Sequence, residues 1–302
     1  MPTTAANGIT IEYEIRGSES GSPLLLINGL GTQLISWTEA LLDGLVESGF
    51  RVIIYDNRDS GLSTDFDEFG PADIPAAFKA ARSKQPVNAP YNLDDMADDA
   101  AELLNALNIP AAHIVGSSNG GAIAQIFAYR HKSKTLSLAS IMATSGRRGL
   151  PRPTEAATAW LNKPRKRKAN REDFIAEALD SAETIGSPGF PRNEAAIRIR
   201  AGNLYDRAYK PGGHGRQLLA SIASADNRVS HLEEIKAPTV VIHGAEDPLV
   251  PVGCGEDVKN SIAGATMTVI PGMAHDYPDE AVPTIVAAIR KNADRASKQK
   301  QD

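Results

Sequence analysis

The chain has little of what disulfide-stabilised, membrane-spanning or nucleic-acid-binding proteins require. Its single cysteine, Cys254, allows no intrachain disulfide, so an oxidising compartment is not required. No stretch approaches the roughly 18 apolar residues of a transmembrane helix, and residues 1–8 lack the basic and apolar regions of a secretory signal. A net charge of -5 disfavours nucleic acid as a partner. These absences predict a cytoplasmic protein that binds neither nucleic acid nor membrane.

Motifs for metals and nucleotides are also missing. No Cys/His spacing fits zinc, and there is no phosphate-binding P-loop. Asn28-Gly29-Leu30-Gly31 follows an apolar segment but lacks the third glycine of a dinucleotide-binding fingerprint. Five carboxylates cluster on one helical pattern, which is more typical of a solvated helix face than of a metal site: Asp94, Asp95, Asp98, Asp99 and Glu102. The sequence therefore predicts no metal and no cofactor.

Short apolar segments alternate with helical patterns along most of the chain. Residues 9–16 alternate apolar and polar side chains, as a half-buried strand does. Continuous apolar runs follow near 24–27, 51–55, 111–115, 136–143, 239–242 and 267–270. Such runs are typical of strands covered on both faces by helices, and their alternation with helices predicts right-handed crossovers. The predicted fold class is α/β, with a mostly parallel central sheet.

Two segments depart from this alternation. Residues 145–231 lose the strand signal after the sixth strand, which predicts a helical cap inserted into a core made of 1–144 and 232–302. A basic run within the cap, 163–171, is short and flanked by acids, so we expect a solvated face rather than an anion site. Residues 64–92 contain four prolines and predict a long irregular excursion bordering a substrate cleft.

The stretch Gly116-Ser117-Ser118-Asn119-Gly120 lies between an apolar strand and a helix of small residues. Gly-x-Ser-x-Gly in this context is typical of a nucleophile elbow, in which the central serine occupies a strained turn. Gly116 and Gly120 are needed there because a Cβ atom would collide with the neighbouring strand or helix. Ser118 is therefore the candidate nucleophile, at the positive end of the following helix.

A serine nucleophile needs a base, and the base needs an orienting acid. Asp247 follows one predicted strand and His275 follows the next. The carboxyl ends of parallel strands meet at one edge of the sheet, so these loops should converge on Ser118. Glu246 adjoins Asp247 and is a second candidate acid.

With these motifs, the chain resembles the α/β-hydrolase family from about Ile9 to Ile289. The resemblance implies a sheet of about eight strands with helices on both faces and a cap after the sixth. It also implies that Ser118 attacks, that His275 transfers the proton and that Asp247 orients the imidazole. The segments 56–63 and 116–121 are similar to the branch that contains aclacinomycin methylesterase and related small-molecule carboxylesterases.

The resemblance further implies an oxyanion hole made of the backbone N–H groups of Leu30 and Asn119. Position 28 is asparagine where the family usually has histidine, so Asn28 and Gly29 are expected to support this loop. At position 119 the family commonly has methionine, leucine or an aromatic residue, so the Asn119 side chain is a candidate for substrate selection. Arg58 is expected to tie the loop after the second buried strand to carbonyls or to an acid.

The predicted function is hydrolysis of a small-molecule carboxylic ester through a serine-bound acyl intermediate. A cofactor-independent perhydrolase or a C–C bond hydrolase would use the same three residues. An acyltransferase and a non-catalytic small-molecule binder on this fold are further alternatives. The sequence leaves open whether the protein is a monomer or a homodimer.

Overall fold

The structure is a computed structural model that describes residues 1–163, 170–225 and 228–299. Most of the predicted basic run at 163–171 lies outside these residues. The described strands are β1 (Thr3–Ala6), β2 (Ile9–Arg16), β3 (Ser22–Ile27), β4 (Phe50–Tyr55), β5 (Ala112–Ser117), β6 (Thr135–Ile141), β7 (Thr239–Gly244) and β8 (Thr266–Ile270). The described α-helices are α1 (Glu39–Glu47), α2 (Ile74–Arg82), α3 (Leu93–Ala106), α4 (Asn119–Arg130), α5 (Glu155–Asn162), α6 (Arg171–Ile185), α7 (Glu194–Arg207), α8 (Pro211–Ala223), α9 (Val252–Ser261) and α10 (Val282–Gln299).

The strands form one eight-stranded sheet in the order β1-β2-β4-β3-β5-β6-β7-β8. The six strands β4-β3-β5-β6-β7-β8 pair in parallel. The pairs β1–β2 and β2–β4 are antiparallel. The predicted fold class, a mostly parallel sheet of about eight strands flanked by helices, is thereby confirmed. Strand β1 was not among the sequence predictions, because four residues carry too little periodicity.

Helices cover both faces of the sheet, which explains the uninterrupted apolar strands. In β3, Leu25 and Ile27 belong to the core beneath α3 and α4, while Leu24 and Leu26 belong to the core beneath α1 and α10. All four side chains are fully buried. Successive side chains of a strand point to opposite faces, so a strand between two helical layers must be apolar at every position.

The segment between β6 and β7 carries helices α5 to α8, and its described residues contain no strand. Helix α8 packs against α2, and α7 ends beside the loop after β3. Ion pairs join the two parts: Arg207 contacts Asp56, and the buried Arg216 contacts Asp59, each at 2.7 Å. The helical content agrees with a cap, whereas the division into core and cap domains stays a prediction.

Two expectations about the polar segments were wrong. Residues 64–92 are not irregular throughout, since they contain a 3-10 helix (Asp67–Phe69) and α2. Asp99 does not face solvent with the other acids of α3. It is 1% exposed and its carboxylate receives two hydrogen bonds of 2.6 Å from the Arg58 guanidinium. A helical period alone cannot identify the acid that meets a buried cation.

None of the helices in the described ranges is both long and apolar enough to cross a membrane.

Candidate active site

Ser118 stands in a sharp turn between β5 and α4. Its backbone lies in the left-handed region, with φ 54° and ψ -120°, which is a strained conformation for a residue with a side chain. A Cβ atom on Gly116 would lie 2.1 Å from the Gly120 carbonyl oxygen, and one on Gly120 would lie 2.1 Å from that of Ile27. Both contacts are with backbone and cannot relax by side-chain rotation. The predicted need for glycine at these two positions therefore has a direct steric cause.

His275 follows β8 and lies between the serine and an acid. Its Nε2 atom is 2.9 Å from Ser118 Oγ, and its Nδ1 atom is 2.7 Å from Asp247 Oδ2. An ionised carboxylate can only accept a hydrogen bond, so Nδ1 carries the proton. In the neutral imidazole Nε2 is then an acceptor, and the Ser118 hydroxyl donates to it. This arrangement leaves the serine proton beside a base that can remove it.

Asp247 is held by backbone as well as by the histidine. Its side chain is buried, and Oδ1 accepts hydrogen bonds from the N–H groups of Leu249 and Val250 at 2.9 and 2.8 Å. The second candidate acid, Glu246, instead accepts from the backbone N–H of Gly272 at 2.6 Å. The geometry thus selects Asp247 over Glu246 as the partner of His275.

A second histidine, His243, lies behind this acid. Its Nε2 atom donates to the Val250 carbonyl at 2.7 Å and is 3.7 Å from Asp247 Oδ2. Burial lowers the pKa of His243, which favours the neutral form of the ring. His243 does not contact Ser118, and its hydrogen bond supports the loop that carries Asp247.

The loop after β3 approaches the nucleophile from the other side. A Cβ atom on Gly29 would lie 3.5 Å from Ser118 Cβ, so this loop passes close to the serine. Neither the Leu30 nor the Asn119 backbone N–H donates a hydrogen bond within the described residues. Both predicted oxyanion donors are therefore available to a ligand beside Ser118.

The asparagine side chains near this loop are incompletely paired. The Nδ2 atoms of Asn28 and Asn119 are buried and have no hydrogen-bond partner among the described residues. The Asn28 carbonyl accepts from Asn57 Nδ2 at 3.2 Å, which ties the loop to the end of β4. Arg58 is 6% exposed and paired with Asp99, a contact that ties the loop after β4 to α3.

Two residues of the segment between β6 and β7 contact the loops of the site, and sequence reasoning missed both. Gln217 of α8 is fully buried and accepts from the Gly31 N–H at 2.8 Å. Ser187, after α6, accepts from the Ala274 N–H at 2.8 Å. Each lies far along the chain from its partner and belongs to no motif.

The described residues contain no group of His, Cys, Asp or Glu side chains arranged to hold a metal ion.

Comparisons with known proteins agree with the fold. Residues 22–281 match a family profile described as the alpha/beta hydrolase fold. Rhodomycin D methylesterase from Streptomyces peucetius is 25% identical over 96% of this chain and 97% of its own. A 3-oxoadipate enol-lactonase from Acinetobacter baylyi is 26% identical over 89% of this chain and 87% of its own. The solved structure of a meta-cleavage product hydrolase from Pseudomonas fluorescens superposes with a TM-score of 0.71 at 20% identity, covering 98% of each chain.

Proposed function

The chain belongs to the α/β-hydrolase family, and we propose that it is a serine esterase acting on a small-molecule carboxylic ester. The observation that carries this proposal is the unbroken chain of hydrogen bonds from Ser118 through His275 to Asp247. In this proposal Ser118 is the nucleophile, His275 the general base and acid, and Asp247 the orienting acid.

Acylation would begin with attack of Ser118 Oγ on the ester carbonyl while His275 Nε2 takes the hydroxyl proton. Asp247 would stabilise the imidazolium that forms, and its two backbone hydrogen bonds would keep it in place during proton transfer. His275 would then give the proton to the departing alcohol, leaving an acyl group on Ser118. Deacylation would repeat these steps with water as the nucleophile.

The negative charge that develops on the carbonyl oxygen needs donors fixed in advance. The unpaired backbone N–H groups of Leu30 and Asn119 are suited to this role, and one such donor is worth about 3 kcal/mol of transition-state stabilisation. The Asn119 side chain, with its unpaired amide, would bias the site toward substrates with a polar group near the scissile bond. The helices between β6 and β7 would form the cap over the bound ester.

The relatives include a methylesterase and an enol-lactonase, both of which hydrolyse ester bonds. These two relatives support ester hydrolysis as the proposed reaction. Assays with peroxide plus acetate, with vinylogous diketones and with added alcohols test perhydrolysis, C–C cleavage and acyl transfer in parallel.

The direct test is intact mass after treatment with a fluorophosphonate, combined with hydrolysis of p-nitrophenyl esters of two to eight acyl carbons. We expect one label per chain and measurable turnover in the wild type, and neither in a folded Ser118→Ala variant. Ser117→Ala is the matched control, since it alters the adjacent serine. A folded wild type that neither takes the label nor turns over any ester would refute the proposal and favour a non-catalytic binder.

A further inference from the structure

The loop that carries His275 is attached to a short segment that follows α6. We name residues 271–276 the histidine loop and residues 185–189 the clamp segment. The His275 backbone N–H donates to the Ile185 carbonyl at 2.9 Å, and the Gly189 N–H donates to the Gly272 carbonyl at 2.9 Å. The two segments are therefore joined at both ends by backbone hydrogen bonds.

Ser187 makes the central contacts between them. Its Oγ atom accepts from the Ala274 N–H at 2.8 Å and donates to Asp276 Oδ1. The same carboxylate oxygen accepts from the Ser187 backbone N–H at 3.1 Å. One hydroxyl thus bonds to the residue before His275 and to the residue after it.

The clamp segment packs closely against the histidine loop. A Cβ atom on Gly189 would lie 2.4 Å from Gly272 Cα, so the two backbones touch directly. Ile185 is 8% exposed and packs with Leu249, two residues from Asp247. The clamp segment therefore contacts the loop of the proposed base and lies against the loop of the proposed acid.

We infer that Ser187 is a positioning residue, which sets the His275 imidazole within reach of Ser118 and Asp247 by fixing the backbone on both sides of it. This inference rests on the proposed function, because it assigns Ser187 an effect on the proposed general base. Ser187 does not itself contact the nucleophile. Its effect arises because the imidazole must bridge two partners at 2.9 and 2.7 Å, a geometry that a small movement of the backbone would disrupt.

The same contacts assign a role to Asp276. Its carboxylate accepts hydrogen bonds from both the backbone N–H and the hydroxyl of Ser187, so it holds Ser187 against the histidine loop. Sequence motifs identify the histidine and give no sign of the clamp segment, which lies about 90 residues earlier in the chain.

The test compares kcat and KM for the wild type, Ser187→Ala, Ser187→Thr and Ser181→Ala. Ser181 is the matched control, since its hydroxyl also makes two hydrogen bonds, to Trp160 Nε1 and the Glu177 carbonyl, both within the helical segment. We expect kcat of Ser187→Ala to fall about 10- to 100-fold, with KM changed less than about threefold. Ser187→Thr retains the hydroxyl and Ser181→Ala leaves the clamp intact, so both should keep kcat within about threefold of the wild type.

A spectroscopic measurement separates positioning from a general loss of stability. The Nδ1 proton shared by His275 and Asp247 should give a low-field proton resonance in the wild type and in Ser181→Ala, and a broadened or shifted one in Ser187→Ala. If Ser187→Ala does not fold, Asp276→Ala is the second variant. It removes the two hydrogen bonds between Ser187 and Asp276 and keeps the one from the Ala274 N–H, so it should also lower kcat.

Unchanged kcat in Ser187→Ala, an equal loss in Ser181→Ala, or an effect confined to KM would each overturn the inference. Fluorophosphonate labelling of the wild type distinguishes this failure from failure of the proposed function. A labelled, active wild type beside an equally active Ser187→Ala variant refutes only the clamp, whereas an unlabelled and inactive wild type refutes both.

Discussion

Replacing Asp247 by asparagine should inactivate the protein while leaving its shape intact. Oδ1 of Asp247 accepts two backbone N–H groups, so the carbonyl oxygen of an asparagine would be anchored at that position. The amide NH2 would then face His275 Nδ1, which is 2.7 Å from Oδ2 in the wild type. Two donors cannot face each other, so the imidazole proton would move to Nε2. The side of the ring that faces Ser118 could then no longer accept the serine proton.

A wrong tautomer of this kind lowers kcat by about 10,000-fold, which corresponds to roughly 5.4 kcal/mol of transition-state stabilisation. Glu246→Gln is the matched control, because it changes the neighbouring carboxylate to an amide that can still accept from Gly272. The assay is single-turnover acylation by a p-nitrophenyl ester at saturating substrate, with circular dichroism to verify folding. Retention of more than about a tenth of the wild-type rate in Asp247→Asn would refute the reasoning.

Three further predictions concern stability and reactivity. Asp99→Ala leaves the Arg58 guanidinium buried without its counter-charge and should lower the free energy of unfolding in urea by about 3–5 kcal/mol, whereas an exposed acid would cost under about 1 kcal/mol. Gln217→Leu deprives the Gly31 N–H and the Arg58 carbonyl of their hydrogen-bond partner, and should lower the free energy of unfolding by about 2–4 kcal/mol. A decrease below about 1 kcal/mol would contradict this prediction. Cys254 is 4% exposed and burial raises the pKa of its thiol, so less thiolate forms than in a free cysteine. A disulfide reagent at pH 8 should react with Cys254 only after unfolding, and rapid stoichiometric reaction with the folded protein would contradict this.

Much of the architecture was predictable because it depends on local pattern. Strands buried on both faces must be apolar at every position, and the runs at 24–27 and 51–55 predicted β3 and β4 to within two residues at each end. The turn at Ser118 needs glycine at 116 because a Cβ there would collide with the Gly120 carbonyl, four residues away, whereas glycine at 120 is required by the approach of the neighbouring strand at Ile27. The order of serine, acid and histidine, together with the rule that parallel strands end at one edge, predicted that the three side chains converge.

What escaped prediction depends on partners that are distant in sequence. The helical pattern of α3 places Asp99 among five similar acids, and only the approach of Arg58 makes its burial favourable. Strand β1 exists because β2 offers it a pairing edge. The contacts of Ser187 with the histidine loop and of Gln217 with the loop after β3 likewise join residues about 90 and 186 positions apart.

Local pattern predicts the serine, the histidine and two adjacent acids of the proposed chemistry, because the elbow and the loops at strand ends depend on residue type and nearby backbone. Which acid meets the histidine, and how its loop is held, depends on contacts that form only in the folded chain. A hydrogen bond between segments far apart in the chain forms only after the core has brought them together, so no local pattern records that Ser187 holds the loop of His275.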